Sequence, residues 1–174
     1  MTTNLSYPIG KFERPASDSS EDRARRLDSL AALPAHLRGA VLGLHEGQLD
    51  TPYRPGGWTV RQLVHHVADS HLNAYCRVKL ALTEENPVIK PYDEKSWAEL
   101  PDSKLTIDLS LALLEGVHAR MVTILRSLTP EQFGRPFLHP ASGPQTIDGL
   151  TALYEWHGRH HTAHITSLRT REGW

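Results

Sequence analysis

The sequence predicts an all-α protein, a four-helix bundle, and three observations carry that prediction. Four stretches space their apolar residues at helical intervals, the segments between them collect the prolines and glycines, and no stretch alternates as a half-buried strand does. With 174 residues the chain fits one domain, long enough to bury a sizeable core and too short for a second, so a single domain over 1–174 is expected.

Residues 1–17 hold Pro8, Gly10 and Pro15 without helical periodicity and read as an N-terminal arm. From about 20 to 44 the spacing of Leu27, Leu30, Leu33, Leu37, Val41 and Leu44 is helical, and Pro34, which lacks an N–H, should divide this helix into two segments. DTPYRPGGW (50–58) has the composition of a fixed loop. Thr59 and Gln62 then fit a capping box that opens a second helix reaching about residue 82, with Trp58 and Leu63 placed for a hydrophobic staple. Residues 84–104, with Pro87, Pro91 and Pro101, form a long connection of the kind that serves function or packs as a lid, where Tyr92 and Trp97 suit an apolar clasp. A third helix spans about 107–128 and a fourth about 146–169, with a second long connection at 130–144 between them. There is no internal repeat and no low-complexity tract.

Lys plus Arg (19) nearly balance Asp plus Glu (20), so no strong field draws in nucleic acid or an anionic membrane, and a small-molecule ligand is expected. No segment approaches membrane-spanning length, and the N-terminus lacks a charged start followed by an apolar run, which points to the cytoplasm. The single cysteine, Cys76, excludes an intramolecular disulfide framework and a Cys-based zinc ribbon, and by helical angle it reads as a bland small residue. Histidine, with 11 copies, is the informative residue type.

WHGRHHTAHI (156–165) places four histidines on the fourth helix. His157 and His161 fall near the centre of the stripe of Leu150, Leu153, Tyr154, Ile165 and Leu168; His164 lies slightly to one side and His160 at the edge. An unpaired buried polar ring costs about 1–3 kcal/mol, and a shared metal satisfies two rings stacked one turn apart. His160 and His164 share the spacing less centrally. A catalytic zinc-type site needs a third ligand from another helix, and the second helix offers His65, His66 and His71, among which periodicity does not choose. The flank carrying His66 also carries Ser70, Asn73 and Arg77, a polar lane suited to orienting a small polar ligand.

RPGGWTVRQLVHHVADSH, followed far downstream by WHGRHHTAHI, closely resembles the YfiT-like branch of the DinB superfamily over nearly the whole chain. The superfamily pattern runs from a tryptophan near the start of helix two, to a histidine before an aliphatic residue, to HxxxH on helix four. Here these are Trp58, His66 with Val67, and His157 with His161; His164 falls where many members have glutamine. The resemblance therefore selects His66 on helix two. It implies a cytoplasmic homodimer of four-helix bundles holding one divalent ion per chain, Zn2+ or Ni2+, on His66, His157 and His161 with an open position. The activity it implies is either metal-dependent hydrolysis or transfer of a low-molecular-weight thiol such as bacillithiol.

A divalent ion lowers the pKa of water, and it equally holds a thiol as thiolate. Hydrolytic sites commonly place a carboxylate base beside the ligands, but this chain has no HExxH, and Asp69 and Glu155 project away from the inward faces by helical angle. That ranks thiol transfer first, with Arg77 suited to a cofactor carboxylate, and hydrolysis second. A non-enzymatic structural or metal-binding role is the third reading, which a closed four-ligand site would mark.

Overall fold

The computed structural model describes residues 4–15 and 19–174; residues 1–3, 16 and 17 of the expected arm lie outside the described residues. Four long helices carry the fold: α1 (Ser20–Val41), α3 (Val60–Thr83), α5 (Ile107–Arg126) and α7 (Ile147–Glu172), with short helices α2 (Glu46–Leu49), α4 (Glu94–Ala98) and α6 (Pro130–Phe133) and a 3-10 turn at Pro101–Lys104 between them. Their starts follow local chemistry. Ser19 accepts from the Asp22 N–H, Thr59 and Gln62 form the reciprocal box that opens α3, and Thr146 accepts from the Gly149 N–H. At the far end of α7, Gly173 takes the left-handed conformation (φ 75°) that closes a helix. No helix of the described residues is long and apolar enough to cross a membrane.

The helices α3 and α5, α5 and α1, α1 and α7, and α7 and α3 pack side by side, so the consecutive long helices α1 and α3 face each other across the bundle. The interior divides into two apolar clusters. One gathers Leu27, Leu30, Val78, Met121, Phe137 and Ile147, the other Leu37, Leu63, Val64, Leu114, Ile165 and Leu168. On each long helix these sets lie on either side of the residues that meet at mid-bundle: Leu33 and Pro34 on α1, His66 and His71 on α3, His118 on α5, and His157 and His161 on α7. The histidines thus form a polar layer between two apolar ones.

Pro34 does not divide α1, contrary to the expectation from sequence. An interior proline costs about 3 kcal/mol or more, largely because the carbonyl four residues back loses its partner. Here that carbonyl is Leu30 O, and His118 Nδ1 lies 2.6 Å from it, so the orphaned acceptor is satisfied from α5 and the helix continues.

The second long connection contains strands, which the sequence reading did not anticipate: β1 (Pro136–His139) pairs antiparallel with β2 (Gly143–Thr146) around a turn in which Gly143 has φ 77°. Four-residue strands carrying Pro136 and Pro144 leave no room for visible alternation. The first connection joins them, since the Ile89 N–H donates to Leu138 O and the Leu138 N–H to Pro87 O. Within 4–15, the arm lies along α7, with Tyr7 5.9 Å from the His160 ring and Phe12 5.8 Å from Trp156. Trp58 packs against the cluster containing Leu63, with its ring 4.5 Å from His66.

Gly158 is where α1 and α7 approach most tightly. A Cβ there would stand 2.7 Å from Leu33 Cδ1 and closer still to Cδ2, and Leu33 is itself buried. Overpacking costs about 1–3 kcal/mol, against about 1 kcal/mol returned by alanine's helix propensity. Gly158→Ala should therefore lower unfolding free energy in urea titrations, by up to about 2 kcal/mol. Gly116→Ala, on an open face of α5, should raise it.

Candidate metal centre

Each helix delivers its histidines through the register that its cap sets. On α3, which the Thr59–Gln62 box opens at Val60, His66 turns toward α7 while the adjacent His65 turns toward α5. There His65 Nδ1 meets Ser110 Oγ at 2.7 Å and Nε2 meets Leu105 O at 3.1 Å, so its nitrogens are taken up in holding α3 to the start of α5. Periodicity left His65, His66 and His71 unresolved; the packing separates them.

Three Nε2 atoms converge. His66 Nε2 lies 3.3 Å and His161 Nε2 3.2 Å from His157 Nε2, and the group's ligand atoms all lie within 4.8 Å of one another. Nitrogens bound at about 2.0–2.1 Å to a single tetrahedral ion stand about 3.4 Å apart, close to the two separations from His157 Nε2, so the donor set fits a divalent cation. His161 Nδ1, buried, has no hydrogen-bond partner among the described residues. Burial is the first cause holding all three rings neutral. It pushes His66 down to about 4 and His157 and His161 well below the ordinary histidine value, the neighbouring imidazoles adding to it for the α7 pair. At neutral pH the lone pairs are ready and no proton has to be displaced.

His160, His161 and His164 form a second group whose ligand atoms also lie within 4.8 Å. All three come from one helix. His160 stacks on Trp156 (4.4 Å) and His164 on Tyr53 (4.1 Å), beneath the arm, and both rings are pushed down to about 4, chiefly by burial. The His66 group draws on two helices and has two nitrogen pairs at 3.2 and 3.3 Å, which makes it the stronger candidate.

Behind His157 the polar layer continues. His71 Nε2 lies 3.2 Å from His157 Nδ1, and His118 Nε2 lies 2.9 Å from His71 Nδ1. Both rings are almost fully buried, His71 held well below the ordinary value by burial and then the neighbouring rings, His118 pushed down to about 4 by burial. His118 escaped the sequence reading because α5 is otherwise apolar around it; a lone histidine on a core stripe was the available signal.

The polar lane is partly assembled. Ser70 Oγ and Arg77 Nη1 both donate to Tyr154 Oη, at 3.4 and 3.2 Å, and the Tyr154 ring lies 5.5 Å from that of His157. Arg77 is buried and its Nε has no partner among the described residues. Asn73 instead donates to Asp69 O on its own helix. Tyr154, a core residue by periodicity, is thus the hub that links the lane to the ligands. Glu94, from the first long connection, feels the Arg77 charge, which offsets part of the upward push that burial gives its carboxyl.

Asp69, expected to project away from the inward faces, is nevertheless partly desolvated. It is half-buried and its carboxyl is pushed up to about 6, first by desolvation and then by Asp102. Glu155 does lie elsewhere, bonded by Ser29 and Arg159, and Cys76 is exposed. Tyr92 and Trp97 pair with ring centroids 4.4 Å apart. An open groove of about 480 Å3 is walled by Tyr53, Arg54, Trp58, Glu94 and Lys95, and Trp58, in that wall, covers His66.

The DinB superfamily profile matches residues 29–165, and the chain belongs to that superfamily. A protein of Bacillus mycoides (strain KBAB4) is 53% identical over 171 residues, covering 98% of this chain and 99% of its own. One of Bacillus cereus (strain 03BB102) is 54% identical over 173 residues with the same coverage. Both bear the provisional name metal-dependent hydrolase. The solved structure of YfiT from Bacillus subtilis, described as "a probable metal-dependent hydrolase with an unusual four-helix bundle topology", superposes with a TM-score of 0.96 at 53% identity, covering 98% of this chain and 99% of that one.

Replacing His157 by alanine should abolish stoichiometric metal in elemental analysis, whereas His160→Ala and His164→Ala should retain it. Because the ligands are already deprotonated, Zn2+ affinity of the parent should be nearly flat between pH 6 and 8 and weaken only as pH falls below about 5. Competition titrations against a chelator of known pH dependence measure it.

Proposed function

We propose that the chain is a metal-dependent enzyme in which His66, His157 and His161 hold one divalent ion, Zn2+ in the first place and Ni2+ in the second, and in which a low-molecular-weight thiol of the bacillithiol type attacks a small electrophile. The observation that carries the proposal is the convergence of three neutral imidazoles with no carboxylate among the grouped ligands. Three protein ligands leave a position open, which favours catalysis over a closed structural site. Bound there, the ion favours the deprotonated form of a thiol or of water.

The surrounding residues support a thiol with an anionic handle. The Arg77 guanidinium is buried, offers an unused Nε–H, and is held by Tyr154 beside the ligand His157. A carboxylate on the cosubstrate would satisfy it, a better match for a planar guanidinium than for an ammonium. Ser70, which donates to the same Tyr154 hydroxyl, and Asn73 on the same lane are the further residues we assign to that cosubstrate. The groove walled by Trp58 and Glu94 lies against the centre through the contact of Trp58 with His66.

Hydrolysis is the second reading, favoured by the relatives' names and by Asp69, whose carboxyl at about 6 is suited to accept a proton near neutrality. We place the enzyme in the cytoplasm and as a homodimer. Leu105, Leu109 and Leu113 repeat every fourth residue and remain 50%, 57% and 40% exposed, an apolar stripe that a second copy would cover.

Turnover of an epoxide or chlorinated aromatic should require both metal and thiol, and Arg77→Ala should raise the apparent KM for the thiol about tenfold or more while metal content stays stoichiometric. Full-rate, metal-dependent ester or amide cleavage without thiol would reverse the ranking. Light scattering at micromolar concentration should give a dimer mass, and Leu109→Glu should halve it.

A further inference from the structure

The polar layer contains a run of contacts that ends on a group able only to accept. His118 Nδ1 lies 2.6 Å from Leu30 O, His118 Nε2 lies 2.9 Å from His71 Nδ1, and His71 Nε2 lies 3.2 Å from His157 Nδ1. A carbonyl oxygen carries no proton, so His118 Nδ1 is the donor in the first contact. A neutral imidazole has one N–H, which leaves His118 Nε2 as an acceptor and makes His71 Nδ1 the donor in the second. The same step repeated makes His71 Nε2 an acceptor and His157 Nδ1 a donor. His157 Nε2 is then left with its lone pair, and it is the atom on which His66 Nε2 and His161 Nε2 converge.

The origin of the chain is Pro34. In an uninterrupted helix Leu30 O would accept from the N–H of residue 34; proline has none, so the carbonyl is open to α5. His71 is 0% and His118 1% exposed, so water does not compete with either contact. Reversing every donor would aim a lone pair of His118 at Leu30 O, a repulsive contact in a desolvated site.

We propose that the Leu30 carbonyl, freed by Pro34, sets through His118 and His71 the tautomer that presents His157 Nε2 to the metal, making His118 and His71 positioning residues of the centre. The proposal rests on the three-histidine reading of the site and adds to it two residues that touch neither metal nor substrate. Outer partners that orient a metal-bound histidine typically alter metal affinity about 10- to 100-fold.

The tautomers are read directly by long-range 1H–15N correlation spectra of the histidine-labelled, metal-free protein at pH 7. His118, His71 and His157 should all carry the proton on Nδ1; an Nε2–H on His118 or His71 overturns the proposal. His118→Phe removes both contacts, and should lose the single His157 tautomer and weaken Zn2+ binding about 10- to 100-fold. His118→Gln, whose amide can donate to Leu30 O and accept from His71, should recover most of that loss. If His118→Phe does not fold, the parent spectra and the glutamine variant decide. Parent-like Zn2+ affinity in His118→Phe, or a glutamine variant as weak as the phenylalanine one, overturns the positioning role. The spectra need no metal, so a parent protein with the Nδ1–H chain but no zinc at His157 would refute the site reading while leaving the chain standing.

Discussion

Imidazole nitrogens withdrawn from water at mid-bundle are the constraint from which the rest of the architecture follows. Each must find a donor, an acceptor or a cation, because an unsatisfied polar group at that depth costs about 1–3 kcal/mol. All four long helices contribute to the solution. α3 and α7 aim three Nε2 atoms at one point, α5 sends His118 behind them, and α1 supplies a carbonyl that its own proline has released. The two apolar clusters on either side exclude water and keep the rings neutral, which preserves both their lone pairs and their directional hydrogen bonds.

Gly158 belongs to the same solution. It lets α7 press against Leu33 immediately after His157, and a larger residue would lift the helix that carries two of the three converging rings. Glycine is costly within a helix in isolation, and here the backbone approach accounts for it.

The bundle was legible because long amphipathic stretches and capping residues speak locally: the Thr59–Gln62 box sits where its spacing places it. The inward aim of His157 and His161 was legible for the same reason, and the choice of His66 came from family resemblance, since helical angle alone did not separate it from His65 and His71. What sequence did not disclose depends on contacts between distant segments. His118 gains meaning only beside His71, Pro34 only beside His118, and Tyr154 only where Ser70 and Arg77 meet on its hydroxyl. The angle of Asp69 on α3 turns it away from the inward faces, and what it did not disclose is that desolvation and Asp102, from the connection that leads to α5, change its chemistry. The hairpin was missed because its strands are short and proline-bearing.

That hairpin ties the two long connections together through Ile89 and Leu138. The first connection also carries Glu94 and Lys95 into the wall of the groove, a few residues beyond the seam at 87–89. Separating the two connections would break the Pro87–Leu138 and Ile89–Leu138 hydrogen bonds together. The two connections therefore do not move independently: displacing residues 87–89 pulls on a ribbon formed some fifty residues further along the chain.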